Sequence, residues 1–420
     1  MNDIIKQIHD RIKAASKKKG FLDLLFGEHK EEALNGTPVV LFGASSLGQE
    51  LCFALKNHGI SPLCFCDNDG SKSGASICGI PIISFDELKK SHRESLIVIA
   101  TSKYLDAVAK QLLENGFPED RVLCKRLDLD TRIAFMFSML VTQFFLAGLK
   151  QQYGPRQLIN VLTRNENKLA EAYNLFADRK SKKLFIAKLA LMASNGSWEL
   201  FKEFMLSFSE PILECGLAGR SNSQTYYYFN NDVLTLSEDE VYVDVGAFDG
   251  DTVQTFVDAC TKRSVNYKRI YAFEPDPQCY QELVKSTNGY QRISCHQLGL
   301  WSQSKVLRFT SSDNAIINEA GAISNAGNIE IQAVSLDDFL HGEEVTFIKM
   351  DPGGNIITEV VKGAAETIAK YKPKLALGAY HSIESIFEIP LLVNSISPEY
   401  KLYLRHNTCH LCDTDLYAVA

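Results

Sequence analysis

The chain lacks an apolar run long enough to cross a bilayer as a helix. The one stretch that comes near, Ile133 to Leu149, lies between Arg132 and Lys150 and is interrupted by Thr142 and Gln143. It falls short of the ~20 residues a span needs, so a buried helix or a contact between copies in a homo-oligomer is the expectation. Positive charge is also short. Lys and Arg total 44 against 51 Asp and Glu, a net charge of −7, which is the wrong field for a nucleic-acid surface. The one basic run, Lys17-Lys18-Lys19, reads as the solvated face of a helical arm. Met1-Asn2-Asp3 leads into mixed charge rather than the apolar core of a signal peptide. A paired-cysteine framework is missing too: the 11 cysteines are odd in number and scattered. Cys64 and Cys66 share one face of a strand, where a bridge between them would be strained. These absences predict a reducing, cytoplasmic setting. There is no short-period repeat and no low-complexity tract.

What is present suffices for two or three domains in 420 residues, with 45% hydrophobic residues to build cores. Residues 1–36 read as a helical arm. Residues 37–125 alternate strand and helix, with strands at Val39–Phe42, Leu63–Cys66 and Leu96–Ala100. Such continuous apolar runs suit parallel strands covered on both faces. Residues 126–225 carry helical periodicity without clear strands, and from 226 to 420 strands alternate with helices again. The expected fold is therefore α/β, two Rossmann-like doubly wound domains joined by a helical bridge. Both α/β parts repeat one theme: a strand, a glycine turn, a helix, and a second strand ending in an acid.

In the C-terminal part the theme begins at Val241-Tyr242-Val243-Asp244-Val245-Gly246-Ala247-Phe248-Asp249-Gly250-Asp251-Thr252. A glycine after the strand lets the chain turn and a ligand approach the backbone. No third glycine stands at dinucleotide spacing, and acidic residues in the turn disfavour a pyrophosphate. A cationic sulfonium cofactor without phosphate suits Asp244 and its neighbours better. The next strand, Arg269 to Glu274, ends in an acid where a carboxylate can accept from both ribose hydroxyls; capping of the following turn is the alternative. Val345 to Asp351 and Lys374 to His381 are further strands ending in an acid and a histidine. Tyr400–Arg405 and Thr414–Val419 look like an antiparallel pair at the sheet edge. Ligands of open α/β sheets bind beyond the carboxyl ends of the strands, so Asp244, Glu274, Asp351 and His381 could share one cleft.

These stretches resemble the FkbM family of methyltransferases. The likeness is carried by Tyr228-Phe229 before Leu236 to Glu240, by Asp244 to Thr252, and by Phe273-Glu274-Pro275. It continues through Ser335-Leu336-Asp337-Asp338, Phe347 to Asp351, Lys372 to Ala376, Tyr380-His381, Ile389-Pro390 and Leu404-Arg405-His406. The resemblance implies a class I methyltransferase fold, a seven-stranded sheet whose last strand is antiparallel. It implies S-adenosylmethionine as cofactor and a hydroxyl acceptor, often on a sugar or polyketide. By position, Asp244, Gly246, Ala247, Phe248, Gly250 and Thr252 would line the methionine end of the cofactor. Glu274 would hold the ribose, with Pro275 and Tyr228 beside the same site. Asp337 and Asp338 belong to a family motif that can equally be structural. One departure stands out. The family usually continues the Lys-Met-Asp strand with Ile or Val, then Glu-Gly, a small residue and Glu. Here the chain reads Pro352-Gly353-Gly354-Asn355-Ile356, without either glutamate, and Pro352 removes an amide donor from the turn.

A hydroxyl acceptor is a poor nucleophile and gains from a general base. His381 is the first candidate, since an ordinary histidine titrates near pH ~6.5; bonding to a neighbouring carbonyl is its alternative role. Asp351 is the second, as base or as ligand of an ion such as Mg²⁺, and it would need burial to act as a base. His406 is a further candidate for orienting substrate. His406-Asn407-Thr408-Cys409-His410-Leu411-Cys412 packs four metal-ligand types too densely for a zinc site and has no second pair, so no metal is expected there. In the N-terminal part, Gly43-Ala44-Ser45-Ser46-Leu47-Gly48 follows a strand and opens a helix, with Ser45 where a dinucleotide fingerprint has its middle glycine. Asp67 ends the second strand, at the ribose position. Phe65 to Asn68 and Gly79 to Ser84 resemble the Rossmann-like module found beside sugar-modifying enzymes, which implies a nucleotide or nucleotide-sugar ligand. A folded module without ligand is the alternative.

The expected activity is S-adenosylmethionine-dependent O-methylation of a small acceptor, a sugar or glycan intermediate. Two rivals stay open. One is a binding protein for cofactor or nucleotide-sugar that has lost catalysis, given the Pro352-Gly353-Gly354 loop. The other is nicotinamide-dependent sugar chemistry in the N-terminal module, which no Tyr-x-x-x-Lys pair supports.

Overall fold

The computed structural model describes residues 3–15, 21–101, 104–123, 157–194, 197–208, 228–229, 231–310, 322–323, 327, 329–352, 356–407 and 413–420. Lys17–Lys19, the Ile133–Leu149 stretch, Gly353–Asn355, Thr408–Cys412 and the rest of the 126–225 bridge beyond its described helices lie outside these.

The N-terminal sheet contains β1 (Val39–Phe42), β2 (Cys64–Cys66), β3 (Ser76–Ile77), β4 (Ile80–Ile83), β5 (Leu96–Ile99) and β6 (Val122–Leu123). Its order is β3-β4-β2-β1-β5-β6, parallel throughout except for the β3–β4 hairpin. β1, β2 and β5 are buried at every position, because helices cover both faces. Ser45 and Ser84 start two of those helices with side-chain caps, which satisfies amide donors the first turn would otherwise leave unpaired.

Helices Gln157–Arg164, Glu166–Leu175, Arg179–Ala193 and Trp198–Phe208 form the described part of the bridge. Arg179–Ala193 has four basic residues among its first five and is buried at every position from Leu184 to Met192. The amphipathic helix Asp3–Ala15 buries Ile4, Ile5 and Ile8, and its Arg11 pairs with Glu203 at 2.6 Å. These residues belong to one apolar cluster with the bridge and parts of both sheets. The bridge also docks on the C-terminal sheet, where the Ala177 amide donates to the Leu402 carbonyl at 2.9 Å.

The C-terminal sheet contains β7 (Glu240–Val245), β8 (Tyr267–Phe273) and β9 (Ile293–His296). A small separate sheet follows, formed by β10 (Gly299–Leu300), β11 (Lys305–Thr310), β12 (Ala322–Ile323) and β13 (Ile329–Val334). The main sheet resumes with β14 (Phe347–Met350), β15 (Lys374–Gly378), β16 (Lys401–His406) and β17 (Thr414–Val419). Its order is β16-β17-β15-β14-β7-β8-β9, with β17 antiparallel to both neighbours. β17 thus inserts between β15 and β16, and of this pair only β16 lies at an edge. On one face Phe229, Tyr242, Phe256 and Phe347 pack ring against ring, with Tyr242 stacked on Phe256 at 4.4 Å. This anchors the segment carrying Tyr228 to the sheet. The topology puts the ends of β7, β8, β14 and β15 and the start of β17 along one rim.

Candidate active site

At that rim the chain leaves β7 through a turn only glycine permits. Gly246 has φ +74°, and a Cβ there would lie 2.8 Å from the Asp351 carbonyl oxygen and from Pro352 Cα. The ends of β7 and β14 therefore meet without a side chain between them. The amides of Gly246 and Ala247 both donate to the Phe273 carbonyl. Phe248 follows with φ 48°, unusual for a residue with a side chain. Its amide is aimed at Glu274.

Glu274, just beyond β8, is 7% exposed. Oε2 accepts the Phe248 amide at 3.0 Å and Oε1 the Asp276 amide at 2.9 Å. Burial pushes its carboxyl up to about 7, against the pull of those two amides. A carboxylate offers about four acceptor positions, so roughly two remain for further donors. The capping alternative is realised by Asp276, which caps helix Pro277–Thr287. Pro275 lies half-buried between the two acids.

Asp244 is fully buried on β7, opposite Lys349 of β14. The Lys349 ammonium donates to Asp244 Oδ1 and to the Gly246 carbonyl, each at 3.0 Å. Burial pulls the lysine down, but Asp244, Asp351 and Asp251 outweigh it and hold it above its usual range. Asp244 Oδ2 has no hydrogen-bond partner among the described residues. Asp251, at the start of helix Asp251–Arg263, is pushed up to about 6 by burial and by Asp249 and Asp244, against Lys349. Thr252 is buried behind it and bonds to its carboxylate through the amide at 2.7 Å.

Asp351 gathers three donors. Tyr228 reaches Oδ2 at 3.1 Å, the Tyr380 hydroxyl lies 3.0 Å from each oxygen, and His381 Nε2 is 2.9 Å from Oδ1. Burial would raise this carboxyl; the bonds from His381 and Tyr380 and the charge of Lys349 overcome it and hold it below the ordinary value. An ionised carboxylate only accepts, so the hydrogen of this bond is on His381 Nε2. Tyr380 stacks on the His381 ring at 4.2 Å and fixes its plane. Beside Asp351, buried Asp415 of β17 accepts the Asn407 amide at 2.9 Å. Burial and the charges of Asp351 and Asp413 push its carboxyl well up.

The structure thus collects Asp244, Gly246, Glu274, Asp351, His381 and Tyr228 at one rim. Asp337 instead accepts the Glu366 and Thr367 amides and caps helix Ala365–Tyr371, and the Ser335 side chain accepts the Asp338 amide. His406 lies edge-on to Phe204 of the bridge at 4.6 Å and bonds Thr414. Lys349, Tyr380, Asp251 and Asp415 were not singled out as site residues. A lysine inside a run as apolar as Phe347–Met350 is itself a signal, because a buried cation needs partners. Among the described residues there is no group of three or more His, Cys, Asp or Glu placed to hold a metal, and no helix is long and apolar enough to cross a membrane.

The N-terminal domain repeats the arrangement with a different outcome. Asp67, just beyond β2, accepts the Ala44 amide at Oδ2 and the Asp69 amide at Oδ1, both at 2.9 Å. Lys72 adds a third donor at 3.0 Å and also reaches the Ala44 carbonyl. Burial raises Asp67, but those donors outweigh it and bring the acid below its usual value. Ser45 caps helix Ser46–Asn57 by accepting the Gly48 amide, and its hydroxyl donates to the Ala100 carbonyl.

The strand order, the antiparallel insertion of β17 and the glycine turn under a strand-end acid define a methyltransferase fold. Residues 244–400 match the family model of the methyltransferase FkbM domain. The chain is similar over 98% of its length to 99% of the crystal structure of methyltransferase FkbM from Methylobacillus flagellatus KT, at 21% identity and a TM-score of 0.61. About half of it also matches fibrillarin from Aeropyrum pernix, solved with S-adenosyl-L-methionine, at 12% identity and a TM-score of 0.31, covering 75% of that chain. An rRNA methylase from Streptococcus thermophilus matches 47% of the chain and 90% of its own at 12% identity, TM-score 0.27. Likeness at the level of these last two says nothing about the ligands of this chain. No curated protein matches the sequence.

Proposed function

We propose that the C-terminal domain binds S-adenosylmethionine and methylates a hydroxyl of a small acceptor, a sugar or glycan intermediate. The observation that carries this reading is Glu274. It is buried, holds one amide on each oxygen, and keeps about two acceptor positions over, which is what the two hydroxyls of a ribose supply. The turn at Gly246 gives a flat backbone approach, and Asp244 Oδ2 is an acidic partner for a cationic methionine end. When bound, the cofactor supplies an electrophilic methyl group on sulfur.

The chain's own part is to hold the acceptor hydroxyl in line and take its proton. His381 accepts that proton at Nδ1 as the new carbon–oxygen bond forms. Asp351, bonded to Nε2, orients the ring and stabilises the imidazolium. Positioning supplies much of the rate in such a displacement. Asp351 has its oxygens taken by Tyr228, Tyr380 and His381, so this reading gives it no Mg²⁺ to hold. In the N-terminal domain, Lys72 occupies the position on Asp67 that a ribose would need, which favours a supporting module over a second nucleotide site.

Calorimetry with S-adenosylmethionine and S-adenosylhomocysteine tests the reading. Micromolar binding of both, lost in Glu274→Ala, is the expected result. Absence of binding at millimolar ligand would overturn it.

A further inference from the structure

Asp351 follows the end of β14 and Asp415 lies at the start of β17, with β15 running between them. The β15 residue that meets both is Gly378. It is paired directly with Asp415, and residues directly opposite each other place their β-carbons on one face of a sheet, roughly 4.5–5.5 Å apart. A Cβ on Gly378 would lie 2.5 Å from Asp351 Oδ1. Asp351 therefore fills the space a Gly378 side chain would take, on the face that Asp415 occupies. The two carboxyl groups face each other over a bare glycine, on the order of 5 Å apart.

Their bonds leave one oxygen over. Both Asp351 oxygens are engaged by Tyr228, Tyr380 and His381. Asp415 Oδ2 accepts the Asn407 side-chain amide at 2.9 Å, from beyond β16. Oδ1 is thereby turned the other way, towards β15 and Asp351. Asp415 is fully buried, and its Oδ1 has no hydrogen-bond partner among the described residues, a costly state that a donor would relieve. The cations around it are engaged elsewhere. Lys349 is bonded to Asp244 and the Gly246 carbonyl, and Arg405 to Asp178 and Asp232. Lys188 is bonded to Thr414, whose side chain points to the opposite face from Asp415. One remaining oxygen is too few for a divalent cation, which takes about six or more ligands. An ammonium needs a single strong acceptor in a negative field.

We infer that the methyl acceptor is an amino alcohol of sugar size, an amino sugar or aminocyclitol, whose protonated amine sits on Asp415 Oδ1 beside the hydroxyl that His381 serves. The inference rests on the methyltransferase reading above. Amine and hydroxyl are neighbours on the substrate because the two carboxyl groups are neighbours on the sheet. In the transfer the hydroxyl oxygen bonds the methyl carbon as the carbon–sulfur bond breaks, and the hydroxyl proton goes to His381 Nδ1. The ammonium keeps its protons throughout. Having no lone pair it is no nucleophile, so the contact that holds the substrate also directs the methyl group to oxygen. Burial and the charge of Asp351 disfavour an ionised Asp415 in the ligand-free protein, and a bound ammonium offsets both.

The test uses the full-length protein saturated with S-adenosylhomocysteine, so that no turnover occurs, and ligand-observed NMR at neutral pH. Two matched sets are compared: ethanolamine with N-acetylethanolamine and ethylene glycol, and glucosamine with N-acetylglucosamine and glucose. The amine of each set is expected to bind roughly tenfold or more tighter than its neutral counterparts, the difference between a charged and a neutral hydrogen bond. Asp415→Asn, and Asp415→Ser as a second variant, should abolish that preference, with S-adenosylhomocysteine affinity as the control for folding. Neutral members binding as tightly as the amines in wild type, no binding by either amine, or a preference that survives in both variants would overturn the inference. Failure of S-adenosylhomocysteine itself to bind counts against the methyltransferase reading, whereas its binding without an amine preference counts against the amino-alcohol acceptor alone.

Discussion

On the proposed reading, Glu274 makes cofactor binding a proton-linked event. Its carboxyl is pushed from 4.5 to about 7 by burial, a penalty on the ionised form of about 3 kcal/mol at about 1.4 kcal/mol per unit. Two ribose hydroxyls donating to the remaining acceptor positions would favour the ionised form and lower that value again. The sign follows. Below pH 7 the ligand-free protein holds a proton on Glu274 that ribose must displace, so affinity falls up to tenfold per pH unit on the acid side and is flat above about 7. In the ligand-free protein the raised carboxyl stabilises the fold below the unfolded value of 4.5, and that contribution is lost as pH rises through about 7. The assay is titration calorimetry of S-adenosylhomocysteine from pH 5.5 to 8.5 in two buffers of different ionisation enthalpy, which counts protons released. Near pH 7 the count should be roughly half a proton, vanishing above pH ~8. Glu274→Gln should bind at least tenfold more weakly, because its amide group turns a donor towards one of the two backbone amides, and should lose the pH dependence. An affinity in wild type that does not change between pH 5.5 and 8 would refute the argument, whatever the mutant does.

Other residues give sharper local outcomes. His381→Ala should leave calorimetric cofactor affinity unchanged and slow methyl transfer by roughly 10²-fold or more; turnover at the wild-type rate would move the base elsewhere. Gly246→Ala puts a Cβ 2.8 Å from the Asp351 carbonyl at φ +74°, so thermal melting should drop and cofactor affinity should fall with it. Asp415→Asn should melt no lower than wild type, since it removes a carboxyl whose ionised form burial disfavours, and a loss of many degrees would show that the ionised form holds the rim together.

The continuous apolar runs were enough to place the strands of both parallel cores, because strands buried on both faces have few polar positions to blur their ends. The strand-end acids were legible for the same reason: Asp244, Glu274 and Asp351 interrupt or end apolar runs where only a paired or ligand-facing carboxylate is tolerated. What stayed hidden was set by contacts distant in sequence. β10 and β12 have two residues each, and β11 and β13 expose every second residue on the small sheet, so none shows the continuous apolar run of the main strands. Lys349 serves Asp244 from 105 residues away, and the sequence shows the lysine without its partner. His381 is legible as a candidate base, but its attachment to Asp351 depends on the register of β14 against β15. The helix Asp3–Ala15 reads as a separate arm because its apolar face is covered by residues near 190, far along the chain.

The paired acids Asp67 and Glu274 carry a lesson in counting. Each terminates the second strand of its sheet, and each is gripped by one amide from the glycine turn and one from two residues further on. A single side chain, Lys72, separates their fates. The acid it reaches is a closed joint, with too few positions left for two further donors. The acid without such a neighbour is an open socket, braced equally well yet two bonds short. A fold that repeats this fitting can turn a binding site into a piece of scaffold, or back again, by changing one residue that touches neither the strand nor the turn's glycines, and Lys72→Ala is the smallest such change available in this molecule.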